Sequence, residues 1–267
     1  MAAIINTPHE IALVDTLVSY YKDNIPAIRP FLKGFDSHFT ETLGENGPLA
    51  DVVHSVKFRM KDAEHLREKL FRKLAAAKAK NEPFNVDKNN LFVKINDLGG
   101  YRILHLHTNQ AEKIHGVLLD VIERAQFDLF EPPFANVWDE EAKAFFERVG
   151  VRTEVNPRMY SSVHYVIKAR SRVAVTCEIQ VRTLADEIWG EIDHRINYPH
   201  AHPSLPCREQ LRVLARVASS CSRLVDAIMV THDEWDARQA GATGALLAGK
   251  ADEEAPVANL APPEVEP

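Results

Sequence analysis

Cysteine is scarce: the 267 residues hold 3, Cys177, Cys207 and Cys221, odd in number and far apart. That excludes a disulfide framework and a Cys-x-x-Cys metal knuckle, and the three are expected to be buried reduced thiols. Long apolar runs are missing too. None approaches the ~20 residues of a membrane span, and the opening MAAIINTPHE has neither the basic nor the apolar region of a secretory signal. A cytoplasmic protein with no membrane partner is the expectation. Nor is there a basic excess: Lys+Arg number 32 against Asp+Glu 38, a net charge of −6. Eight acids and two bases fall between His232 and Pro267, which leaves the body of the chain neutral. A neutral body argues against extended contact with RNA. What is present, 45% hydrophobic and 26% charged residues, is the composition of an ordinary globular chain long enough to bury a core.

Local signals give the order of elements. Thr7-Pro8-His9-Glu10 combines an N-cap, a proline in the first helical position and a capping-box acid, and Ile11, Val14, Leu17, Val18 and Tyr21 follow at helical spacing. A second or broken helix is expected over 25–43. Residues 52–60 alternate as a strand, and Asp62 caps a helix marked by Leu66, Leu70 and Leu74. A strand at 98–106 and a helix at 108–125 come next. The stretch 126–150 is hard to read beyond a short helix at 139–148. Strands are expected at 151–155, 161–169 and 172–181, then helices at 183–198 and 206–238. The predicted class is α/β (α+β), a mixed sheet flanked by helices. The predicted organisation is an N-terminal helical segment over 1–45, a main domain over 46–205, a C-terminal helix over 206–239 and a disordered acidic tail over 240–267.

Alternation also sorts the polar groups. Around Glu178 it puts Thr176, Glu178, Gln180 and Arg182 on one face and Cys177, Ile179 and Val181 on the other. Over 160–165, Tyr160, Ser162 and His164 share a side. In the first strand Lys57, Arg59 and Lys61 form a row of cations that suits a polyphosphate, because arginine forks onto phosphate oxygens and lysine supplies a point charge. A merely solvated face gives the same alternation, so each row alone decides little. Asp97-Leu-Gly-Gly-Tyr-Arg-Ile103 adds a carboxylate and two glycines ahead of a strand that carries Arg102. Two carboxylates at strand ends beside a cationic row point to Mg²⁺-assisted phosphoryl or pyrophosphoryl transfer.

Five motifs then stand in a fixed order: Arg59-Met-Lys61 with Lys69; Asp97 to Ile103; Tyr160-Ser-Ser-Val-His164; Glu178-Ile-Gln-Val-Arg-Thr183; and Trp189-Gly-Glu-Ile-Asp-His194. Over roughly 50–200 the sequence resembles RelA/SpoT-type alarmone synthetases of the small, synthesis-only kind. The resemblance implies a nucleotidyltransferase-type sheet and transfer of pyrophosphate from ATP to the 3′-hydroxyl of GDP or GTP, with AMP released. It also implies Asp97 and Glu178 as Mg²⁺ ligands, with Glu178 a candidate general base. Arg59 and Arg102 would hold ATP, Lys61 and Lys69 its phosphates, and Tyr160 would stack on the acceptor guanine beside His164. Gln180 and Arg182 would support the site.

The sequence departs from that family at three places. Met159 stands where a glycine usually precedes the stacking tyrosine, Asp62 and His65 replace small serines on the ATP side, and 126–150 looks like an insertion on the acceptor side. Two rival functions stay open: a toxin-like pyrophosphokinase acting on the tRNA 3′ end or on adenosine nucleotides, and a non-catalytic nucleotide- or RNA-binding module. A homo-oligomer through the C-terminal helix is a further expectation. Glu191 and His194 are expected to serve packing and hydrogen bonding, His105 and His107 to be structural rather than a zinc pair, and His232-Asp233 to be a chance match to the family's hydrolase signature.

Overall fold

A 33-residue helix, α1 (Pro8–Thr40), opens the chain. The expected capping box forms: the Thr7 hydroxyl accepts from the Glu10 N–H, and the Glu10 carboxylate accepts from the Thr7 N–H. The helix does not break at residue 25 as the sequence suggested; it runs through Pro26 and Pro30. An internal proline typically costs ~3 kcal/mol or more. Here the buried residues on both sides, Val14, Leu17 and Tyr21 before and Ile28, Leu32, Phe35 and Phe39 after, bind the helix to the sheet. At ~1.5–3 kcal/mol for each large side chain, that burial outweighs two missing N–H groups.

The computed structural model describes residues 6–170, 175–198 and 201–253, with side chains as far as residue 240. After α1 come β1 (Val53–Met60), α2 (Ala63–Ala79), a short α3 (Leu91–Lys94), β2 (Gly99–His105), α4 (Gln110–Arg124), β3 (Asp128–Val137) and α5 (Glu140–Val149). Then follow β4 (Arg152–Val155), β5 (Ser162–Lys168), β6 (Thr176–Thr183), α6 (Leu184–Asn197) and α7 (Leu205–Glu253). Asp62 caps α2 as expected, accepting from the N–H groups of Glu64 and His65. Six strands form one sheet in the order β1-β2-β6-β5-β3-β4. The β2/β6 and β3/β4 pairs are parallel and the others antiparallel, so the sheet is mixed, as predicted.

The stretch 126–150, hard to read in the sequence, supplies β3, which lies between β5 and β4, and the expected short helix, α5. Its Pro132 and Pro133 fall at a register irregularity between Glu131 and Phe134, where the ladder does not need their missing N–H groups. Of the last expected strand, residues 172–174 lie outside the described residues. Helix α7 continues past Arg238 to Glu253, into the segment expected to be a tail, and 254–267 lie outside the described residues. Only Cys177 is a buried thiol; Cys207 is half-buried and Cys221 exposed.

The chain divides into two compact units, Met1–Arg223 and Leu224–Pro267. In the second, Leu224, Ile228 and Trp235 are exposed, and His232 pairs locally with Asp233 and Asp236. In the first, one sheet face packs Tyr101, Ile103, Ile179, Val181, Val163 and Tyr165 into the core with α1 and α4. Phe35 meets Tyr101 edge-on at 4.9 Å, and the Tyr101 hydroxyl donates to Asp36 at 2.8 Å. The other face carries the polar rows.

Gly99 marks how tightly α1 and the sheet meet: a Cβ there would lie 2.8 Å from the Leu32 Cδ1, and Leu32 is fully buried. Gly99→Ala is therefore expected to destabilise by about 1–3 kcal/mol through overpacking, and Leu32→Ala by about 2–5 kcal/mol through a cavity. The double variant should lose clearly less than the sum of the two, as read by urea unfolding; strict additivity would mean that the two groups do not share that space.

Candidate active site

Strand register brings the polar groups together. Lys57, Arg102, Gln180 and His164 lie side by side across β1, β2, β6 and β5. One step along, Arg59, Gly100 and Glu178 are aligned across β1, β2 and β6. Gly100 contributes no side chain to this row, which leaves the floor open between Arg59 and Glu178.

Asp97, just before β2, holds two lysines at 2.8 Å each: Lys61 at the end of β1 and Lys69 on α2. Burial pushes its carboxyl up, but the two cations outweigh burial and hold it at about 2. Tyr21 of α1 braces this corner from beneath, its hydroxyl donating to the Lys61 carbonyl at 2.6 Å. Glu178 meets His164 Nδ1 at 3.0 Å and accepts from Gln180 Nε2 at 2.7 Å. Burial pushes its carboxyl up as well; the bond with His164 reverses this and keeps it below the ordinary glutamate range. Both carboxylates are thus ionised at neutral pH, and each feels the other's charge. His164 stacks on Phe134, and among the described residues its buried Nε2 has no hydrogen-bond partner.

A second carboxylate system comes from α6. Glu187 is buried and takes three cations: Lys57 at 3.3 Å, Arg102 at 2.7 Å, and Arg182. Glu191, one turn on and exposed, takes a further bond from Arg102 at 2.8 Å. Helix α6 comes this close because residue 190 is glycine; a Cβ there would stand 2.6 Å from the Arg182 guanidinium. That guanidinium lies 5.8 Å from the centre of the Tyr160 ring, which also borders His164 and Trp189.

A cleft of about 240 Å³ opens over this face, lined among others by Arg59, Arg72, Arg102, Tyr160, Gln180 and His194. The structure therefore gathers Arg59, Arg102, Tyr160, Gln180 and Arg182 at one cleft; Glu178 is tied to it by the bond from Gln180 and in turn holds His164, while Asp97, Lys61 and Lys69 are not in its lining, although Asp97 and Lys69 are near enough to act on the Glu178 charge. Ser162 does not join them: it is buried, with its hydroxyl donating to the Val181 carbonyl. Tyr160 precedes β5 rather than lying in it, next to Met159, a non-glycine residue at φ +63°. His194 stacks on Tyr198 at 4.4 Å and faces His65, and His105 bonds the His107 carbonyl, so these histidines have structural partners. Among the described residues no group of three or more His, Cys, Asp or Glu could hold a metal ion by itself.

Sequence reasoning gave no role to Glu187 and expected packing and hydrogen bonding of Glu191 without finding its partner, Arg102. Their i, i+4 spacing reads equally well as a solvated helix face, and the Arg102 they bind is 85 and 89 residues away. Arg72 and Arg158 were missed for the same reason; nothing local marks them.

Residues 58–203, more than half of the chain, match the family described as a region found in RelA / SpoT proteins. No curated protein matches the chain in sequence. Among solved structures, the chain is similar to the small alarmone synthetase 1 from Bacillus subtilis bound to its product pppGpp. The TM-score is 0.50 at 19% identity, covering 82% of this chain and 97% of that one. A GTP pyrophosphokinase family protein from Streptococcus pneumoniae gives 0.51 at 17% identity, covering 81% and 94%. At such identities the likeness establishes the fold.

Because a buried ion pair that loses one partner leaves stranded charge, Glu187→Gln is expected to cost about 3 kcal/mol in urea unfolding, while Lys57→Ala at the exposed end of the same system costs under about 1 kcal/mol. Burial raises the Glu187 carboxyl, but Arg182 and Arg102 outweigh it and hold the group low. Its contribution is therefore complete above the ordinary glutamate value of 4.5 and fades as pH falls through the lower folded value. The gap between wild type and Glu187→Gln should close on acidification; a gap that widens would contradict the assignment.

Proposed function

The chain belongs to the RelA/SpoT family, and from that premise we propose that it transfers pyrophosphate from ATP to the 3′-hydroxyl of GDP or GTP, releasing AMP. The observation that carries this reading is Glu178: an ionised, half-buried carboxylate oriented by His164 and Gln180, with Asp97 and its lysines on one side and the Tyr160 ring on the other. The proposed place of action is the cytoplasm, and no described helix is long and apolar enough to cross a membrane.

A sugar hydroxyl is a poor nucleophile at neutral pH, and attack at a β-phosphorus needs charge spread over cations. Glu178 takes the 3′-hydroxyl proton as the 3′-oxygen bonds to the β-phosphorus. The bond from that phosphorus to the oxygen bridging it to the α-phosphorus breaks, and AMP leaves with that oxygen. Lys61 and Lys69 hold the donor phosphates, Arg59 and Arg102 hold the adenosine end, and Tyr160 stacks on the acceptor base with Arg182 behind it.

Asp97 and Glu178 fit Mg²⁺ by their chemistry: both are ionised, they share a site, and they are few enough to leave room for water and phosphate oxygens. When bound, the ion would spread the negative charge of the triphosphate. Lys61 and Lys69 keep Asp97 ionised and aimed at the same place.

The test is to incubate the protein with γ-labelled ATP and GDP, GTP, ATP or deacylated tRNA in turn, with label expected in the guanosine nucleotides. Label in tRNA or an adenosine nucleotide instead would replace the acceptor assignment. Glu178→Gln should lose ~10²–10⁴ in turnover while nucleotide binding survives better, because the cations and Tyr160 remain. Asp97→Asn should regain part of its activity at high Mg²⁺ or with Mn²⁺, and Glu178→Gln should not. Near-normal turnover by Glu178→Gln would remove the proposed base.

Stacking makes a separate prediction. Tyr160→Phe should keep most activity, whereas Tyr160→Ala loses roughly 1–3 kcal/mol of acceptor interaction, seen in kcat/KM for the acceptor. Equal losses would make the hydroxyl, not the ring, the important group.

A further inference from the structure

Strand register carries the polar row beyond the cleft. Past Lys57, Arg102, Gln180 and His164 it runs on to Phe134 of β3 and Arg152 of β4, so one line of side chains crosses the whole sheet. Side chains at paired positions on one face stand beside one another. The His164 imidazole lies almost parallel to the Phe134 ring, at 5.0 Å and 10°, and the Arg152 guanidinium covers that ring at 5.4 Å. Because β3 lies between β5 and β4, the imidazole and the guanidinium reach Phe134 from opposite sides.

Phe134 comes to this place through a bulge. Glu131 pairs with Val166 and Phe134 with His164, so β3 advances three residues where β5 advances two. In a regular ladder Pro133 would face His164; the extra residue at Pro132-Pro133 puts an aromatic ring there instead.

The ring supplies what His164 lacks. With a side-chain exposure of 8%, His164 makes one hydrogen bond among the described residues, between Nδ1 and Glu178 at 3.0 Å, and none at Nε2. Glu178 is ionised, so Nδ1 is the donor. A single bond leaves the plane of an imidazole undetermined, and a parallel aromatic contact determines it. Tyr160, at 5.9 Å and 60°, meets the imidazole only obliquely. Phe134 is not among the residues lining the cleft, so its route to the chemistry is through His164.

We propose that Phe134 is a positioning residue of the active site: its stack sets the plane of the His164 imidazole, and the imidazole aims the Glu178 carboxylate at the acceptor hydroxyl. This rests on the reading of Glu178 as the base. Gln180 tethers the same carboxylate from the other oxygen, so loss of the stack weakens the aim without abolishing it.

The experiment compares wild type with Phe134→Leu, Phe134→Tyr, His164→Gln and the double variant Phe134→Leu/His164→Gln, by steady-state kinetics with ATP and each acceptor that wild type uses. Phe134→Leu should lose about threefold to tenfold in kcat with both KM values unchanged, and Phe134→Tyr, which keeps the ring, should stay close to wild type. The double variant should be no slower than His164→Gln, because Phe134 then has no imidazole to act on. Losses that multiply, as general loosening of the fold would give, overturn the proposal; so does a loss carried by KM, or a Tyr variant as slow as the Leu variant. Without nucleotide, the NMR signal of the His164 Nδ1 proton, identified by its disappearance in His164→Gln, should be protected from exchange in wild type and Phe134→Tyr and unprotected in Phe134→Leu. If wild type pyrophosphorylates no acceptor, the proposed function fails by itself. The Nδ1 proton then decides the stack: protection lost only in the Leu variant supports it, and equal protection in all three proteins sinks it.

Discussion

Lys57, Arg102 and Arg182 stand on three neighbouring strands, β1, β2 and β6, which the sheet ladder spaces at about 4.8 Å. Positive groups that close repel, and two of the three are largely removed from water, so the arrangement depends on one shared counter-charge. Glu187 supplies it from α6. The requirement propagates outward. Glu187 reaches the sheet only if α6 lies close, α6 lies close only with glycine at 190, and Trp189 is thereby seated under the first turns of α7. The position of Tyr160, stacked over Arg182 and against Trp189, follows from that one buried carboxylate.

The opposite face meets a matching demand. A polar row holds its geometry only on strands that do not shift, and these strands are fixed from below by α1, whose buried stripe includes Tyr21, Leu32 and Phe35. Tyr21 links the two faces directly, because its hydroxyl binds the backbone of Lys61, the residue whose ammonium holds Asp97. The N-terminal helix lies outside the family-matched segment yet fixes the corner where donor phosphates and Mg²⁺ are proposed to sit. Overpacking at Gly99 would be transmitted to the same place, since Gly99 follows Asp97 by only two residues.

Much of this was legible in the sequence for physical reasons. Period-2 alternation separates Cys177, Ile179 and Val181 from Glu178 and Gln180 without knowledge of the fold, and the Thr7 and Asp62 caps state where two helices begin. The illegible parts share a different cause: the deciding partner is remote in sequence. Pro132 and Pro133 interrupt the alternation of β3, and only the register irregularity opposite β5 makes them tolerable. Pro26 and Pro30 read as helix breaks until the sheet beneath them is known. The acids at 187 and 191 follow the spacing of an exposed helix face, and their arginines are strands away. Alternation put Ser162 on one side with Tyr160 and His164, but Tyr160 precedes β5 and Ser162 is buried with its hydroxyl on the Val181 carbonyl.

The two carboxylates on Arg102 are not equivalent, and the difference bears on how the site can hold charge at rest and still receive a polyanion. Glu187 is buried with a side-chain exposure of 7%, so its pairing is little weakened by water or salt; Glu191, at 59%, pairs directly but in contact with solvent, and that pairing is screened. An incoming phosphate competes with the exposed partner at small cost and leaves the buried one in place, so the guanidinium stays oriented while one of its edges becomes available. Asp97 shows the same economy with opposite sign: it holds two ammonium groups, each with three donors and only one spent on the carboxylate. Charge balance without substrate and capacity to bind it are compatible here because Arg102, Lys61 and Lys69 are each anchored by a carboxylate and keep other donors to give.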